Sequence, residues 1–232
     1  MGDFRSALIV GAGQGLSASL ARLLAGEGLR VGLAARDIGK LESLAAATGA
    51  VTAPCDVADA RQVEALFASM DERLGGPPEV VIYNASARAR GPLVELDPAA
   101  VAQALAVTAH GGFVVAQQAA RRMLPRGHGA ILFTGASASV KGYARSAPFA
   151  MGKFALRGLA QSLARELAPQ GIHVAHFVID GAIRRPDRTE PAAAPDSMLD
   201  PEAIARTYLH VLRQDRSAWT WEVELRPWVE TF

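Results

Sequence analysis

Cysteine is almost missing from this chain: Cys55 is the only one in 232 residues, which excludes an internal disulfide and a thiolate metal cluster. Its burial as a small apolar residue is the expected role. Aromatic residues are sparse, at 6%, and no basic run interleaved with aromatics offers a stacking groove to nucleic acid. Neither charge dominates, because 24 Lys and Arg face 23 Asp and Glu for a formal net charge of +1. No His, Asp and Glu group has metal-ligand spacing, so no metal is expected. No uninterrupted apolar run reaches the roughly 18 residues of a membrane span, and no secretory apolar core precedes the first strand. Met1-Gly2 with Ser6 fits a myristoylation pattern only loosely, because a buried strand starts near Ser6. These features predict a cytoplasmic protein with no membrane or nucleic-acid partner.

Apolar residues, by contrast, make up 50% of the chain. That length and composition suit one large α/β domain over residues 1–232 with a sizeable core. Its organising stretch is Ala7-Leu8-Ile9-Val10-Gly11-Ala12-Gly13-Gln14-Gly15-Leu16-Ser17. Four apolar residues predict a buried strand, and the 3.6-residue spacing of Leu16, Leu20, Leu23 and Leu24 predicts a helix. A glycine turn between strand and helix is an anion site. Small residues let backbone approach a pyrophosphate, and the helix start supplies unpaired N–H groups and a positive dipole end. Leu16 stands where the plain G-x-G-x-x-G fingerprint has its third glycine, so the spacing reads as G-x-x-x-G-x-G with Ser17 last. A tight turn with no ligand gives the same local pattern.

Strands are expected at 30–35, 50–54, 79–83, 130–134, 172–179 and 219–225. Helices are expected at 38–48, 59–74, 98–124, 148–168 and 200–213, with loops at 87–97 and 135–147 and a mobile substrate loop at 184–199. This alternation predicts a Rossmann-type, doubly wound parallel sheet with helices on both faces and a ligand crevice outside the strands' carboxyl ends. Gly11, Arg36, Asp56, Asn84, Thr134 and Asp180 fall at such ends. Ala35-Arg36 places no carboxylate at the end of the second strand. In a dinucleotide fold that favours a 2′-phosphate on Arg36, hence NADP(H) over NAD(H). Alternatively Arg36 is a solvated charge and Asp37 a helix cap. Asp56 is suited to an adenine amino group, and equally to a cap or turn.

In order and spacing, Gly11-x-x-x-Gly15-x-Ser17, Asp56-Val57, Asn84-Ala85-Ser86, Lys153 and Asp180-Gly181-Ala182-Ile183 resemble the short-chain dehydrogenase/reductase family over nearly the whole chain. The resemblance implies a nicotinamide cofactor, a small-molecule substrate, and a homodimer or homotetramer built on the helices at 98–124 and 148–168. It places the cofactor on Gly11, Gly13, Gln14, Gly15, Leu16, Arg36, Asp56, Val57, Asn84, Ala85, Ser86, Lys153, Gly181 and Ile183.

The resemblance also exposes departures. The family's Tyr-x-x-x-Lys motif is Phe149-Ala150-Met151-Gly152-Lys153 here, its serine aligns with Ala136, and its helix asparagine aligns with Thr108. Asn-Ala-Gly has become Asn84-Ala85-Ser86, Pro-Gly has become Asp180-Gly181, and Glu224-Leu225-Arg226 stands in place of the C-terminal Asp-Gly-Gly. In the family the lysine binds the nicotinamide ribose and lowers the tyrosine pKa, and Lys153 retains the means for the first task. Substitutes for the missing hydroxyl are Ser137, Ser139, Tyr143 and His110. Serine hydroxyls are weak acids alone, Tyr143 sits in a loop, and His110 offers an imidazole, which changes protonation near neutral pH. The expectation is an NADP(H)-dependent oxidoreductase with a non-standard centre acting on a small carbonyl, imine or activated alkene. The alternatives are a non-redox isomerase or dehydratase and an inactive cofactor-binding protein.

Overall fold

The computed structural model describes residues 4–230. Strand β1 (Ser6–Val10) is buried along its whole length, and its side chains alternate between two cores. Leu8 and Val10 join one, Ala7 and Ile9 the other. A strand that is apolar on both pleats has no wet face, which is why it is central in a parallel sheet. Helix α1 (Leu16–Gly26) returns the chain to β2 (Arg30–Ala35), which pairs parallel to β1. A short 3₁₀ turn at Gly39–Leu41 opens α2 (Glu42–Thr48), and β3 (Val51–Pro54) completes this half. The helix expected from residue 38 therefore begins later, because the Asp37 carboxylate accepts from Gly39 N–H at 3.1 Å and tightens the turn.

The second half adds α3 (Ala60–Arg73), β4 (Val80–Tyr83), α4 (Pro98–Leu105), α5 (Gly111–Met123), β5 (Gly129–Thr134), α6 (Ala147–Leu167) and β6 (Ile172–Ile179). Short strands β7 (Ala182–Ile183) and β8 (Met198–Leu199) pair with each other. Helix α7 (Pro201–Leu212) then leads to β9 (Glu222–Leu225). Three helices start on an aspartate whose carboxylate accepts from backbone N–H groups: Asp59 for α3, Asp97 for α4 and Asp200 for α7. Proline follows at Pro98 and Pro201, where its missing N–H is no loss.

All seven strands of the main sheet run parallel in the order β3-β2-β1-β4-β5-β6-β9. Strand order reverses between β1 and β4, and the turns leaving those two strands part there to open a crevice. The fold is the expected Rossmann-type doubly wound sheet.

Four details differ from the sequence reading. The long helix at 98–124 contains a π turn, Ala106–His110, between α4 and α5. Tyr83, wholly buried at the end of β4, donates its hydroxyl to the Val107 carbonyl inside that turn. The last strand starts at Glu222 rather than residue 219, because Asp215 caps a 3₁₀ turn at Arg216–Ala218 and Trp219 stacks on His173 at 4.5 Å. The segment 184–199 is tied at its ends by the β7–β8 pair and by an Arg185–Arg188 bridge. Finally, Pro98–Arg126 is long and apolar enough by length and composition to cross a membrane, although no uninterrupted apolar run is present. Val107, Val115, Ala119 and Met123 on it pack into the core under the sheet, the position of a core helix.

Candidate active site

Gly11 leaves β1 with φ +86°, and a Cβ there would meet the Ala85 backbone nitrogen at 2.4 Å. Only glycine suits both the left-handed backbone and the close approach of the β4 end. The Asn84 amide donates to Ser17 Oγ at 2.6 Å and to the Gly11 carbonyl at 3.4 Å, and Ser17 itself donates to that carbonyl at 3.3 Å. Asn84 and Ser17 thus clamp the glycine turn against β4. Helix α1 begins after Gly15 with no side-chain cap on its N–H groups. A Cβ on Gly13 or Gly15 would meet nothing within 4 Å, so nothing packs against the turn at these two positions.

Three cavities follow the carboxyl edge of the sheet. The first, about 360 Å³, is lined by Gly11, Arg36, Asp56, Val57, Asn84, Ala85 and Ser86. The second, about 530 Å³, shares Asn84 and Ser86 with it and adds Gly15, Leu16, Ala136, Lys153, Gly181 and Ile183. The third, about 510 Å³, holds Ser137 and Tyr143, and Arg88 and Phe149 line both it and the second. Gly13 and Gln14 form the turn and line none of the three. His110 is exposed, its ring 6.4 Å from that of Phe113, and it lines none of them either. It lies in the π turn and outside the cleft, which corrects its place among the catalytic candidates. Ser139 is also withdrawn: it is wholly buried and bonded to Ala136 N–H at 3.1 Å.

The cleft's charges have assigned tasks. Asp37 forms an ion pair with Lys40 at 3.1 Å as well as capping its turn, so its carboxylate is engaged beside Arg36. Asp56 accepts from Ala58 N–H at 3.0 Å, the turn role weighed for it, while still lining the first cavity. Lys153 is only 3% exposed and donates Nζ to the Thr134 carbonyl at 2.7 Å. Burial, and then the Arg88 guanidinium, pull its ammonium down to about 7. Phe149 sits one helical turn before it, with Lys153 Nζ 5.9 Å from the ring centroid. Thr108, buried in the π turn, accepts from Ala87 N–H at 3.0 Å and so secures the loop after β4.

Sequence reading missed the support beneath Ala136. His176 on β6 is wholly buried, between Ser139 Oγ at 3.3 Å and Glu222 Oε2 at 3.1 Å. Arg157 on α6 donates to both Glu222 oxygens, at 2.6 and 2.7 Å. A Cβ on Gly135 would lie 2.4 Å from His176 Nε2, so the cleft floor rests directly on this imidazole. The pairing depends on β9 lying beside β6 in the register that sets Glu222 against His176, which no local pattern announces. Lys141 likewise ties the cleft-edge loop to buried Asp180 at 2.8 Å.

Comparison with known proteins places this site in a family. The short chain dehydrogenase family profile matches residues 5–189. The 3-oxoacyl-[acyl-carrier-protein] reductase MabA of Mycobacterium avium is 31% identical over 179 residues, covering 77% of this chain and 67% of that protein. A putative ketoacyl reductase of Streptomyces coelicolor is 32% identical over 191 residues, 79% of this chain and 72% of its own. A short-chain dehydrogenase structure from Rhodopseudomonas palustris superposes with a TM-score of 0.82 at 35% identity, covering 97% and 99% of the two chains. An actinorhodin polyketide ketoreductase solved with NADPH gives 0.87 at 26% identity, covering 98% of each. The chain belongs to the short-chain dehydrogenase/reductase family, whose members are oxidoreductases of Rossmann fold that bind a nicotinamide cofactor and act on small molecules.

The buried imidazole makes folding sensitive to acid. Burial, opposed by the Glu222 carboxylate, pushes His176 down to about 4. An unfolded chain takes up that proton near pH 6.5, so between the two values the unfolded state binds more protons. The contribution is complete above about pH 6.5 and is lost as pH falls toward 4, at up to about 1.4 kcal/mol per pH unit. Urea unfolding midpoints at pH 7.5, 5.5 and 4.5 should therefore fall more steeply for the parent than for His176→Gln. A gap between the two proteins that does not change with pH would show that His176 is not the titrating group.

Proposed function

We propose that this chain is an NADP(H)-dependent oxidoreductase with a non-standard catalytic centre, transferring hydride to or from a small carbonyl, imine or activated alkene. The observation that carries the reading is the continuity of the first two cavities. They share Asn84 and Ser86 and run from Arg36, past the glycine turn, to buried Lys153. The uncapped start of α1, and a turn with nothing packed against Gly13 and Gly15, suit a pyrophosphate. Arg36 then meets the 2′-phosphate, and Lys153, Gly181 and Ile183 hold the nicotinamide end. Neighbours solved with NADPH, and with NADP in a metagenomic oxidoreductase, favour the phosphorylated cofactor. When bound, that cofactor supplies the hydride.

The chain's own residues bind and orient. The Phe149 ring lies beside Lys153, with the Arg88 guanidinium over it, and gives the reacting end an apolar wall. Phe149 offers no proton. A missing general acid costs about 10²–10⁴-fold in rate, so substrates already polarised for hydride, such as iminium ions or enones, are favoured. Ser137 and Tyr143 line the third cavity, as does Ser146, and these are the hydroxyls in reach of a substrate there. The reading places the protein in the cytoplasm. Phe113, Met151 and Phe154, on α5 and α6, are 46%, 52% and 45% exposed and supply an apolar face for a homodimer or homotetramer. A second reading, a non-redox or inactive cofactor-binding protein, draws on the same bare Phe149 ring.

Three outcomes are expected. NADPH binds more tightly than NADH, and Arg36→Ala narrows the difference about ten- to a hundredfold, the worth of a charge-assisted bond of ~1.5–3 kcal/mol. Equal affinities in the parent, measured by titration calorimetry, would defeat the phosphate assignment. Followed by nicotinamide absorbance, the parent oxidises NADPH with iminium or enone substrates and hardly with ketones. Phe149→Tyr alone adds little ketone activity, whereas Phe149→Tyr with Ala136→Ser adds more than the two single changes together, because such groups act as a unit. No NADPH oxidation with any of the three substrate classes would favour the second reading. Light scattering at micromolar concentration should find an oligomer; a monomer would remove the assembly from the proposal.

A further inference from the structure

The third cavity contains a charge imbalance that the cofactor does not account for. Arg88, Arg90 and Arg145 line it, and Arg184, Arg185 and Arg188 line the second cavity beside it, again with Arg88. No Asp or Glu lines either cavity among the described residues. The whole chain is nearly neutral, at +1, so this excess is local rather than inherited from composition. Arg184 and Arg185 are paired with Asp200 at 3.5 Å and Asp187 at 2.6 Å. Among the described residues Arg88, Arg90, Arg145 and Arg188 form no ion pair with a carboxylate.

Cofactor phosphates explain only part of this. The glycine turn lines the first and second cavities, and Arg36 lines the first; neither touches the third. Arg90 and Arg145 line the third cavity and not the other two, and Arg88 stands on the wall that the second and third share, so the group lies on the side of the cleft away from Arg36. The Arg88 guanidinium carbon is 4.3 Å above the Phe149 ring centroid, a cation–π contact that seats the group against the pocket wall. Its charged form is disfavoured by burial and then by Arg90, Arg188 and Arg185. An anion in the pocket relieves that repulsion. The walls are also set in advance. Arg145 is held at φ +60°, a conformation that side-chain-bearing residues rarely adopt, and its carbonyl accepts from Gly91 N–H at 3.1 Å. That bond joins the loop carrying Arg88 and Arg90 to the loop carrying Arg145 and Tyr143.

We propose that the third cavity is an oxyanion pocket, in which Arg88, Arg90 and Arg145 hold the carboxylate or phosphate of a small anionic substrate beside Phe149. The assignment rests on the cleft being the catalytic cleft described above and names the substrate class for it. Guanidinium forks match both oxyanions with paired N–H donors, so the substrate is a carbonyl, imine or enone compound that carries one of these groups as a handle.

The test is calorimetric titration of two pairs of probes into the protein, both alone and with NADPH: acetoacetate against methyl acetoacetate, and dihydroxyacetone phosphate against dihydroxyacetone. At least one charged probe should bind tenfold or more tightly than its neutral partner, and the winning pair identifies the oxyanion. That preference should disappear in Arg88→Gln with Arg90→Gln, survive in part in Arg88→Lys, and shrink as sodium chloride is raised. Arg145→Gly, which suits the left-handed backbone and so spares folding, should lower it as well. Equal binding of charged and neutral probes, or an anion preference untouched by these replacements, overturns the proposal. NADPH is titrated in parallel. Anion binding through the arginines without NADPH binding sinks the cofactor reading and keeps the pocket. NADPH binding with no anion preference does the reverse, and a protein that takes neither loses both.

Discussion

Burial of a parallel sheet on both faces is the constraint from which the rest follows. β1 and β4 are enclosed on both sides by helices, so their backbone groups pair only within the sheet, and their apolar side chains fill two cores at once. A sheet built this way delivers every strand's carboxyl end to one edge. Each strand turns into its helix at that edge, and the turn after β1 needs glycine at Gly11 because Ala85 packs closely against it. The cleft is the consequence of strand order reversing between β1 and β4.

Polar groups inside this frame are held by protein partners. Lys153 is the extreme case: an ammonium almost without exposure, bonded to a backbone carbonyl and depressed in pKa by its surroundings. Beneath the opposite wall, Ser139, His176, Glu222 and Arg157 form one chain of hydrogen bonds that links three parts of the fold to the floor at Ala136. Removing one member leaves another buried polar group unsatisfied, which is more costly than the bond itself is stabilising. The cleft floor is thus firm, and its rim, made of the loops at 87–97, 135–147 and 184–199, is where arginines gather.

A division of labour results. The end of the crevice nearest β2 offers one arginine and backbone N–H groups, suited to phosphates. The middle offers a buried lysine. The far end offers a bare phenylalanine ring under a guanidinium, with hydroxyls from Ser137 and Tyr143 nearby. On the proposed reading, such a site is stronger in positioning and electrostatics than in proton transfer, and the proposed substrate brings its own polarisation or its own negative charge.

Much of this was legible in the chain itself, because local pattern specifies it. Buried strands read as apolar runs, helix starts were expected at residues 98 and 200, and Gly11, Gly15, Asn84 and Lys153 lay at strand ends and helix starts where a Rossmann-type cleft forms. Sequence spacing likewise marked Phe149 as standing one turn before Lys153. What it could not decide was anything joining residues distant in the chain. The helix at 98–124 carries a π turn at Ala106–His110 that leaves His110 outside the cleft, and Tyr83, on β4, bonds within that turn. The pairing of His176 with Glu222 requires β9 beside β6, and the meeting of Arg88, Arg145 and Arg188 requires three separate loops to converge. Periodicity and caps are short-range and are written in neighbouring residues, whereas which charges share a cavity is set by the closure of the sheet and the folding of its loops, and tertiary structure alone decides that.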